Sequence, residues 1–180
     1  MRINGLRRKP PACRGANPVA APSKVPAQLS IAVVSLVVIL ADQSTKAWAV
    51  NALSDRTIDV VWKLQFHLTS NTGFAFSTGQ GLGPFLGLVA LLVVVVLWRM
   101  RDGFSGSVSV VALGLILGGA TGNLLDRAFR GSGWGRGAVI DFIDFQFWPV
   151  FNVADAAIVV GVVALSLKMW TEQREVKRSA

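Results

Sequence analysis

The stretch from Gln28 to Val50 decides the fold class, and its sequence is QLSIAVVSLVVILADQSTKAWAV. It is apolar over most of its length and long enough to cross a bilayer as a helix, for which about 20 residues are needed. Three further apolar segments follow at 82–98, 108–125 and 153–170. The sequence therefore predicts an α-helical integral membrane protein with four transmembrane helices.

The composition agrees with a membrane protein. Hydrophobic residues make up 52% of the 180 residues and charged residues only 16%, whereas a soluble domain carries about 25% charged residues. Cys13 is the only cysteine and His67 the only histidine. An intrachain disulfide, a multi-cysteine zinc site and a paired-histidine metalloprotease motif are thereby excluded. We expect neither a metal nor another cofactor.

The basic residues predict the orientation of the chain. The net charge of +8 raises the possibility of nucleic-acid binding, but most of the 18 Lys and Arg residues lie in three places. These are the N-terminal tail, the loop between the second and third apolar segments, and the C-terminal end. By the positive-inside rule this side is the cytoplasm. We therefore expect both termini inside, two outer loops at about 51–81 and 126–152, and no nucleic-acid partner.

The two outer loops have different patterns. Apolar and polar residues alternate from Ile58 to Leu68, which predicts a strand with one apolar face. A turn is expected at 71–73, with 74–77 pairing back, so that a small sheet covers about 57–78 on the outer membrane surface. The second loop has a glycine-rich segment at 131–137, which predicts a flexible outer loop or flap. A strand and an interfacial helix both fit the segment 139–147.

The domain organisation follows from these segments. Residues 1–27 are rich in proline and basic residues and lack periodicity, so a disordered cytoplasmic tail is predicted. Residues 28–170 form the membrane domain, and 171–180 form a cytoplasmic C-terminal tail.

Polar residues inside or beside the spans converge on the outer face under this topology. Such residues are costly in a bilayer and often functional. Asp42 and Lys46 are four apart and suit an intrahelical ion pair. Asn152 and Asp155 suit a capping box at the start of the fourth span. The full set comprises Asp42, Lys46, Asn71, Asn123, Asp126, Arg127, Asp141, Asn152 and Asp155.

The chemistry that these residues allow is narrow. Cys13 lies in a tail on the other side, and Ser44 and Lys46 are two apart on a helix and face different directions. Paired carboxylates remain, because two close Asp side chains share one proton and can activate water for amide hydrolysis. The sequence suggests Asp141 and Asp155 as candidates, with Asp126 as a rival or as the partner of Arg127 in an interfacial charge pair.

Five motifs in order carry a resemblance to a known family. They are DQSTK at 42–46, NTGFAF at 71–76, GGATGNLLDR at 118–127, VIDF at 139–142 and FNVAD at 151–155. Together they resemble the signature of bacterial lipoprotein signal peptidase (signal peptidase II). The resemblance extends over about residues 28–170.

The resemblance implies an aspartic intramembrane endopeptidase of the bacterial plasma membrane, with its active site at the outer face. It would remove the signal peptide from prolipoproteins just before a cysteine that carries diacylglycerol. Asp141 and Asp155 match the catalytic pair. The implied partners are the prolipoprotein and membrane lipids, and a monomer is expected. Matching supporting or substrate-binding positions are Asp42, Lys46, Asn71, Gly73, Asn123, Asp126, Arg127 and Asn152.

Two alternatives without peptidase activity remain. A small transporter or channel subunit would use the acidic cluster for ions, but spans two and four are apolar toward the cytoplasm. A membrane adaptor would dock partners on the outer sheet, but it would have no use for a carboxylate pair.

Overall fold

The computed structural model describes residues 26–73, 83–131 and 137–179. Four helices in this part of the chain are long and apolar enough to cross a membrane, as predicted. They are α1 (Ala27–Ala52), α2 (Gly83–Met100), α3 (Ser107–Phe129) and α4 (Val153–Ser179), with a 3₁₀ turn at Arg101–Gly103. The strands are β1 (Ile58–Val61), β2 (Leu64–Asn71) and β3 (Val139–Asp144).

Some boundaries differ from the sequence prediction or lie outside the description. Helix α4 continues without a break past Trp170 to Ser179, so most of the predicted C-terminal tail is helical. The predicted disorder of the N-terminal tail, the pairing of 74–77 and most of the glycine-rich segment lie outside the described residues. The domain boundaries themselves stay predictions.

Helix α3 lies at the centre of the helical part and packs against the other three helices. Small residues allow the close approach, as is common between membrane helices. A Cβ on Gly118 would lie 2.7 Å from Cβ of Val38 in α1. Because α1, α2 and α4 surround α3, their outer faces carry most of the exposed large apolar side chains. The polar residues at the C-terminal end of α3 are thereby enclosed by its neighbours.

The sheet is antiparallel throughout, in the order β1-β2-β3. The prediction of one strand from Ile58 to Leu68 was wrong, because the chain turns at Trp62 and Lys63 and continues as β2. A two-residue turn sets Val61 opposite Leu64 and by itself would reverse the alternation. A bulge between Asp59 and Val61 then sets Ile58 opposite Phe66 and reverses it again, so the alternation runs through the turn and did not reveal it. Of the two structures considered for 139–147, the strand is the one formed, over 139–144.

The sheet rests on the end of α1. The Trp48 ring meets the rings of Phe66 and Phe142 edge-on, with centroid distances of 5.4 and 6.0 Å. Ala49, Leu53 and Phe142 form a buried cluster at this junction. This contact sets the strand that carries Asp141 beside the ends of the helices.

Candidate active site

Asp141 and Asp155 line one cleft between the sheet and the helix ends. The cleft has a volume of about 380 Å³. Asp141 comes from the middle of β3, opposite Thr69 of β2, and Asp155 from the first turn of α4. The other lining residues are Asn71, Gly73, Leu86, Asn123, Arg127, Val139, Trp148, Pro149, Val150 and Phe151.

Asp141 is buried and accepts two hydrogen bonds. Nδ2 of Asn152 donates to one carboxylate oxygen at 2.6 Å, and Nδ2 of Asn71 donates to the other at 3.2 Å. Burial, and after it the negative charge of Asp155, raises the pKa of Asp141 to about 7 against the opposing effect of these hydrogen bonds. This carboxyl is therefore suited to hold a proton near neutral pH.

Asp155 is fixed by the start of α4. Oδ1 of Asn152 accepts a hydrogen bond from the backbone N–H of Asp155 at 3.0 Å. In return, Oδ2 of Asp155 accepts one from the backbone N–H of Asn152 at 3.3 Å. This reciprocal pair is a capping box with Asn and Asp as its members, and it confirms the sequence prediction. The other carboxylate oxygen of Asp155 accepts from Nδ2 of Asn123 at 2.7 Å.

Three asparagine amides direct their NH₂ groups at the two carboxylates, and in each the oxygen already has a donor. Oδ1 of Asn71 accepts from the backbone N–H of Gly73 at 3.0 Å. Oδ1 of Asn152 accepts from the capping N–H described above. Oδ1 of Asn123 accepts from Nζ of Lys46 at 2.9 Å. Because each oxygen is engaged elsewhere, the opposite end of each amide is left to donate to Asp141 or Asp155.

A buried ionic cluster lies behind Asn123. Nζ of Lys46 is 2.8 Å from Asp42 and 2.7 Å from Asp126, and all three side chains are fully buried. Asp42 also accepts from the backbone N–H of Ala154 at 3.0 Å. The intrahelical pair predicted between Asp42 and Lys46 is confirmed, but it is part of a larger cluster that joins α1, α3 and the start of α4.

Asp126 belongs to this cluster and does not line the cleft. It accepts from Nε of Arg130 at 2.6 Å and from the backbone N–H of Ile140 at 3.3 Å. Its ion-pair partners are Lys46 and Arg130, so the suggested pair with its neighbour Arg127 was wrong, because adjacent helix residues point apart. Sequence reasoning missed Arg130, although its spacing of four from Asp126 was a usable signal.

Gln43 was also missed. Its Nε2 lies 3.1 Å from acceptors on Asp42, Gly122 and Asp126. Its position next to Asp42 in the DQSTK motif was the only hint, because glutamine is common on polar helix faces.

Arg127 is buried at the edge of the cleft. Its Nη2 donates to the carbonyl oxygen of Gly73 at 3.2 Å. Its Nη1 is buried without a hydrogen-bond partner among the described residues. A buried guanidinium N–H without a partner is costly, so this atom is a donor available to a ligand in the cleft. No group of three or more metal-ligating side chains occurs in the described part of the chain.

Comparison with known proteins identifies the family. A family model described as signal peptidase (SPase) II matches residues 34–171. The chain belongs to the signal peptidase II family. The lipoprotein signal peptidase of Mycobacterium leprae is 38% identical over 163 residues, covering 89% of this chain and 80% of that protein. The one from Streptomyces griseus is 42% identical over 151 residues, covering 81% and 75%.

Solved structures show the same fold. One bacterial membrane enzyme matches with a TM-score of 0.69 at 24% identity, over 81% of this chain and 89% of that one. A second matches with a TM-score of 0.66 at 25% identity, over 78% and 92%. The chain is therefore a multi-pass membrane protease of the family that removes signal peptides from prolipoproteins. Family membership favours the enzyme over the transporter and adaptor alternatives.

Every residue that the resemblance to signal peptidase II singled out lies in the cleft or in contact with it through the network above. Asn71, Gly73, Asn123, Arg127, Asp141 and Asp155 line the cleft. Asn152 donates directly to Asp141. Asp42, Lys46 and Asp126 form the buried cluster behind Asn123.

Proposed function

We propose that this signal peptidase II is an aspartic endopeptidase in which Asp141 and Asp155 are the catalytic residues. The observation that carries the proposal is the pairing of these two carboxylates in one cleft, each accepting hydrogen bonds from asparagine amides. The raised pKa of Asp141, at about 7, supports a pair that shares one proton at neutral pH. Such a pair hydrolyses an amide without a cofactor.

The reaction follows from the single shared proton. The ionised carboxylate accepts a proton from a water molecule as the water oxygen attacks the scissile carbonyl carbon. The protonated carboxyl donates its proton to the carbonyl oxygen, which gives a neutral tetrahedral diol. The carboxyl that took up the water proton then donates it to the amide nitrogen, and the C–N bond breaks as one diol hydroxyl gives its proton to the other carboxylate. The pair is thereby returned to its state with one shared proton. The products are the carboxyl end of the signal peptide and the free amino group of the next residue.

The substrate is a prolipoprotein cleaved just before its diacylglyceryl-modified cysteine. A cleft at the ends of membrane helices suits this bond, because the signal-peptide helix and the lipid chains can both stay in the bilayer. Arg127 and Asn71 bind the substrate backbone, and Nη1 of Arg127, a buried donor with no hydrogen-bond partner among the described residues, supports this role. Gly73 shapes the turn that accepts from Arg127.

The supporting residues contribute to catalysis by positioning Asp141 and Asp155. Asp42, Lys46 and Asp126 connect α1 to α3 and to the residues that carry the dyad. Asn123 and Asn152 orient the carboxylates by donating to them. These roles need one copy of the chain only, which supports a monomer.

The cleft lies at the outer face of the bacterial plasma membrane, with both chain termini in the cytoplasm. The charge distribution supports this orientation. Arg99, Arg101, Lys168, Arg174 and Lys177 lie near the helix ends opposite the sheet, and basic residues favour the cytoplasmic side. The membrane domain spans 28–170.

The test is cleavage of a diacylglyceryl-modified prolipoprotein by the purified full chain in detergent. Asp141→Asn and Asp155→Asn should each abolish cleavage, a loss of at least about 10³-fold, while the protein stays folded. Asp144→Asn is the matched control. Asp144 lies on the same strand and is also buried, but it hydrogen-bonds Gln65 and Gln146 away from the cleft. Asp144→Asn should keep near-full activity. If Asp141→Asn or Asp155→Asn also keeps near-full activity, that residue is not catalytic.

A further inference from the structure

The sheet ends in an exposed aromatic patch, which we define as Val61, Trp62, Phe147 and Trp148. These residues are 68%, 81%, 62% and 63% exposed. Val61 ends β1 and Trp62 begins the turn to β2, whereas Phe147 and Trp148 come from the loop after β3. The rings of Trp62 and Phe147 lie 6.0 Å apart between centroids. The two segments therefore form one continuous apolar surface.

Two unusual backbone conformations present this patch. Trp62 has φ of 52° and Gln146, just before Phe147, has φ of 62°. The left-handed region is unfavourable for side chains other than glycine and asparagine. Trp62 at the hairpin tip buries little of its side chain, and its aromatic neighbour, Phe147, is itself mostly exposed. Exposed aromatic surface on a strained turn indicates an interaction outside the chain.

The patch lies at the level of the outer helix ends. The sheet contacts Trp48, which is one turn from the end of the membrane helix α1. Trp148 lines the same cleft as Leu86 from the first turns of α2. Phe151, which pairs with Ile143 of the sheet strand, is followed two residues later by the start of α4. Through Trp148, which lines the cleft together with Leu86, the patch adjoins the first turns of the membrane helix α2.

The chemistry of the patch fits phospholipid. Tryptophan and phenylalanine concentrate at the membrane–water interface, where the ring is apolar and the indole N–H reaches polar groups. Nζ of Lys63 lies 5.8 Å from the centre of the Trp62 ring. A lysine beside an inserted aromatic ring can extend to lipid phosphates while its stem stays in apolar surroundings. A protein partner would explain the aromatic rings but would not require their position beside the first turns of α2.

We propose that the aromatic patch is an interfacial anchor that inserts into the headgroup region of the outer leaflet, with Lys63 at the lipid phosphates. The proposal depends on the membrane fold and is independent of which residues are catalytic. Strands β2 and β3 connect the patch to Asn71 and Asp141 respectively. The anchor therefore sets the depth at which the sheet, and with it one wall of the cleft, lies relative to the bilayer.

The experiment measures the surroundings of Trp62 in the full chain. The protein and its Trp62→Phe variant are reconstituted into phosphatidylcholine–phosphatidylglycerol vesicles, and the emission of Trp62 is obtained as their difference. Lipids brominated on the acyl chains near the headgroup should lower this emission about twofold, as expected for insertion at the headgroup–acyl boundary. Aqueous iodide should lower it little. Phe147→Ser, which removes the neighbouring ring of the patch, should weaken quenching by the brominated lipid.

Phe129→Ser is the matched control, because Phe129 is similarly exposed at the outer end of α3 but outside the patch. It should leave the quenching of Trp62 unchanged. Quenching by iodide but not by brominated lipid would overturn the proposal, because Trp62 would then be in water. Protection from both quenchers would also overturn it and indicate a protein cover, such as a second copy of the chain.

Discussion

Asp141 is buried beside Asp155, and both its burial and the charge of Asp155 disfavour its ionised form. Its pKa rises from the ordinary value of 3.8 to about 7, chiefly through burial. The folded state therefore binds this proton more tightly than the unfolded state does. Consequently the contribution of Asp141 to stability falls as the pH rises from about 4 to about 7, by at most about 4 kcal/mol.

This linkage predicts that Asp141→Asn is more stable than the parent protein above pH 7, although it is inactive. Part of the gain is offset, because the NH₂ group of the new amide would face one of the donors on Asn71 and Asn152. The measurement is the unfolding temperature in detergent at pH 5 and pH 8. The advantage of the variant should be larger at pH 8, and an advantage confined to pH 5 would contradict the raised pKa.

Lys46 neutralises two buried carboxylates and donates to Asn123. Lys46→Met should cost about 3–5 kcal/mol and lower the folded yield, because Asp42 would be left as an uncompensated buried charge and Asp126 would keep only Arg130 as its ion-pair partner. The double change Lys46→Met with Asp42→Asn removes one charge of each sign and leaves Asp126 paired with Arg130. It should recover much of the folded yield, as measured by size-exclusion chromatography and thermal unfolding.

The same double variant separates stability from positioning. Asn123 would still lack the donor that directs its amide toward Asp155, so cleavage per folded molecule should stay low and its pH profile should shift. Full activity in the folded double variant would show that Lys46 acts through stability alone.

At the scale of elements, the contact between α1 and α3 depends on a missing side chain. A Cβ on Gly122 would lie 2.6 Å from Oδ2 of Asp42, so this buried carboxylate and its ion pair with Lys46 would have to shift. Gly122→Ala should therefore destabilise the protein by about 1–3 kcal/mol and reduce activity. Gly103→Ala is the control, because a Cβ at that position would have no neighbouring atom within 4 Å. Thermal unfolding of both variants tests this, and equal unfolding temperatures would refute the close contact.

In the strands, the local sequence pattern predicts extended backbone, and the strand pairing determines where the chain turns and which segments form the sheet. Alternation at 58–68 predicted extended backbone, but the turn at Trp62 and Lys63 became visible only from the pairing of Ile58 with Phe66. For 139–144 the sequence left strand and helix open. Pairing with β2 decides it, since the backbone groups of β3 find their partners on β2.

At the scale of the whole molecule, the polar cleft lies at one end of the helices, and Arg99, Arg101, Lys168, Arg174 and Lys177 lie near the other end. This separation predicts the orientation in the membrane. In a Cys13→Ser background, Ser54→Cys beyond the end of α1 should react with a membrane-impermeant maleimide in intact cells. Gly103→Cys between α2 and α3 should react only after the cells are permeabilised. The reverse pattern would contradict an outer active site.

The sequence alone determined the four membrane helices, the capping box at Asn152 and Asp155, and the ion pair of Asp42 with Lys46. Each of these depends on residues within a few positions of each other, where helical periodicity and spacing are sufficient. The family motifs also pointed to the residues of the cleft, but without their contacts.

The tertiary structure decided which side chains meet. Asn71 donates to Asp141 across 70 positions, and Lys46 reaches Asn123 across 77. It also decided that Asp126 joins the buried cluster and not the cleft, with Arg130 and Gln43 as partners. The physical reason is that these hydrogen bonds depend on how the helices pack and on the register of the sheet. Neither is encoded in the spacing of residues along one segment.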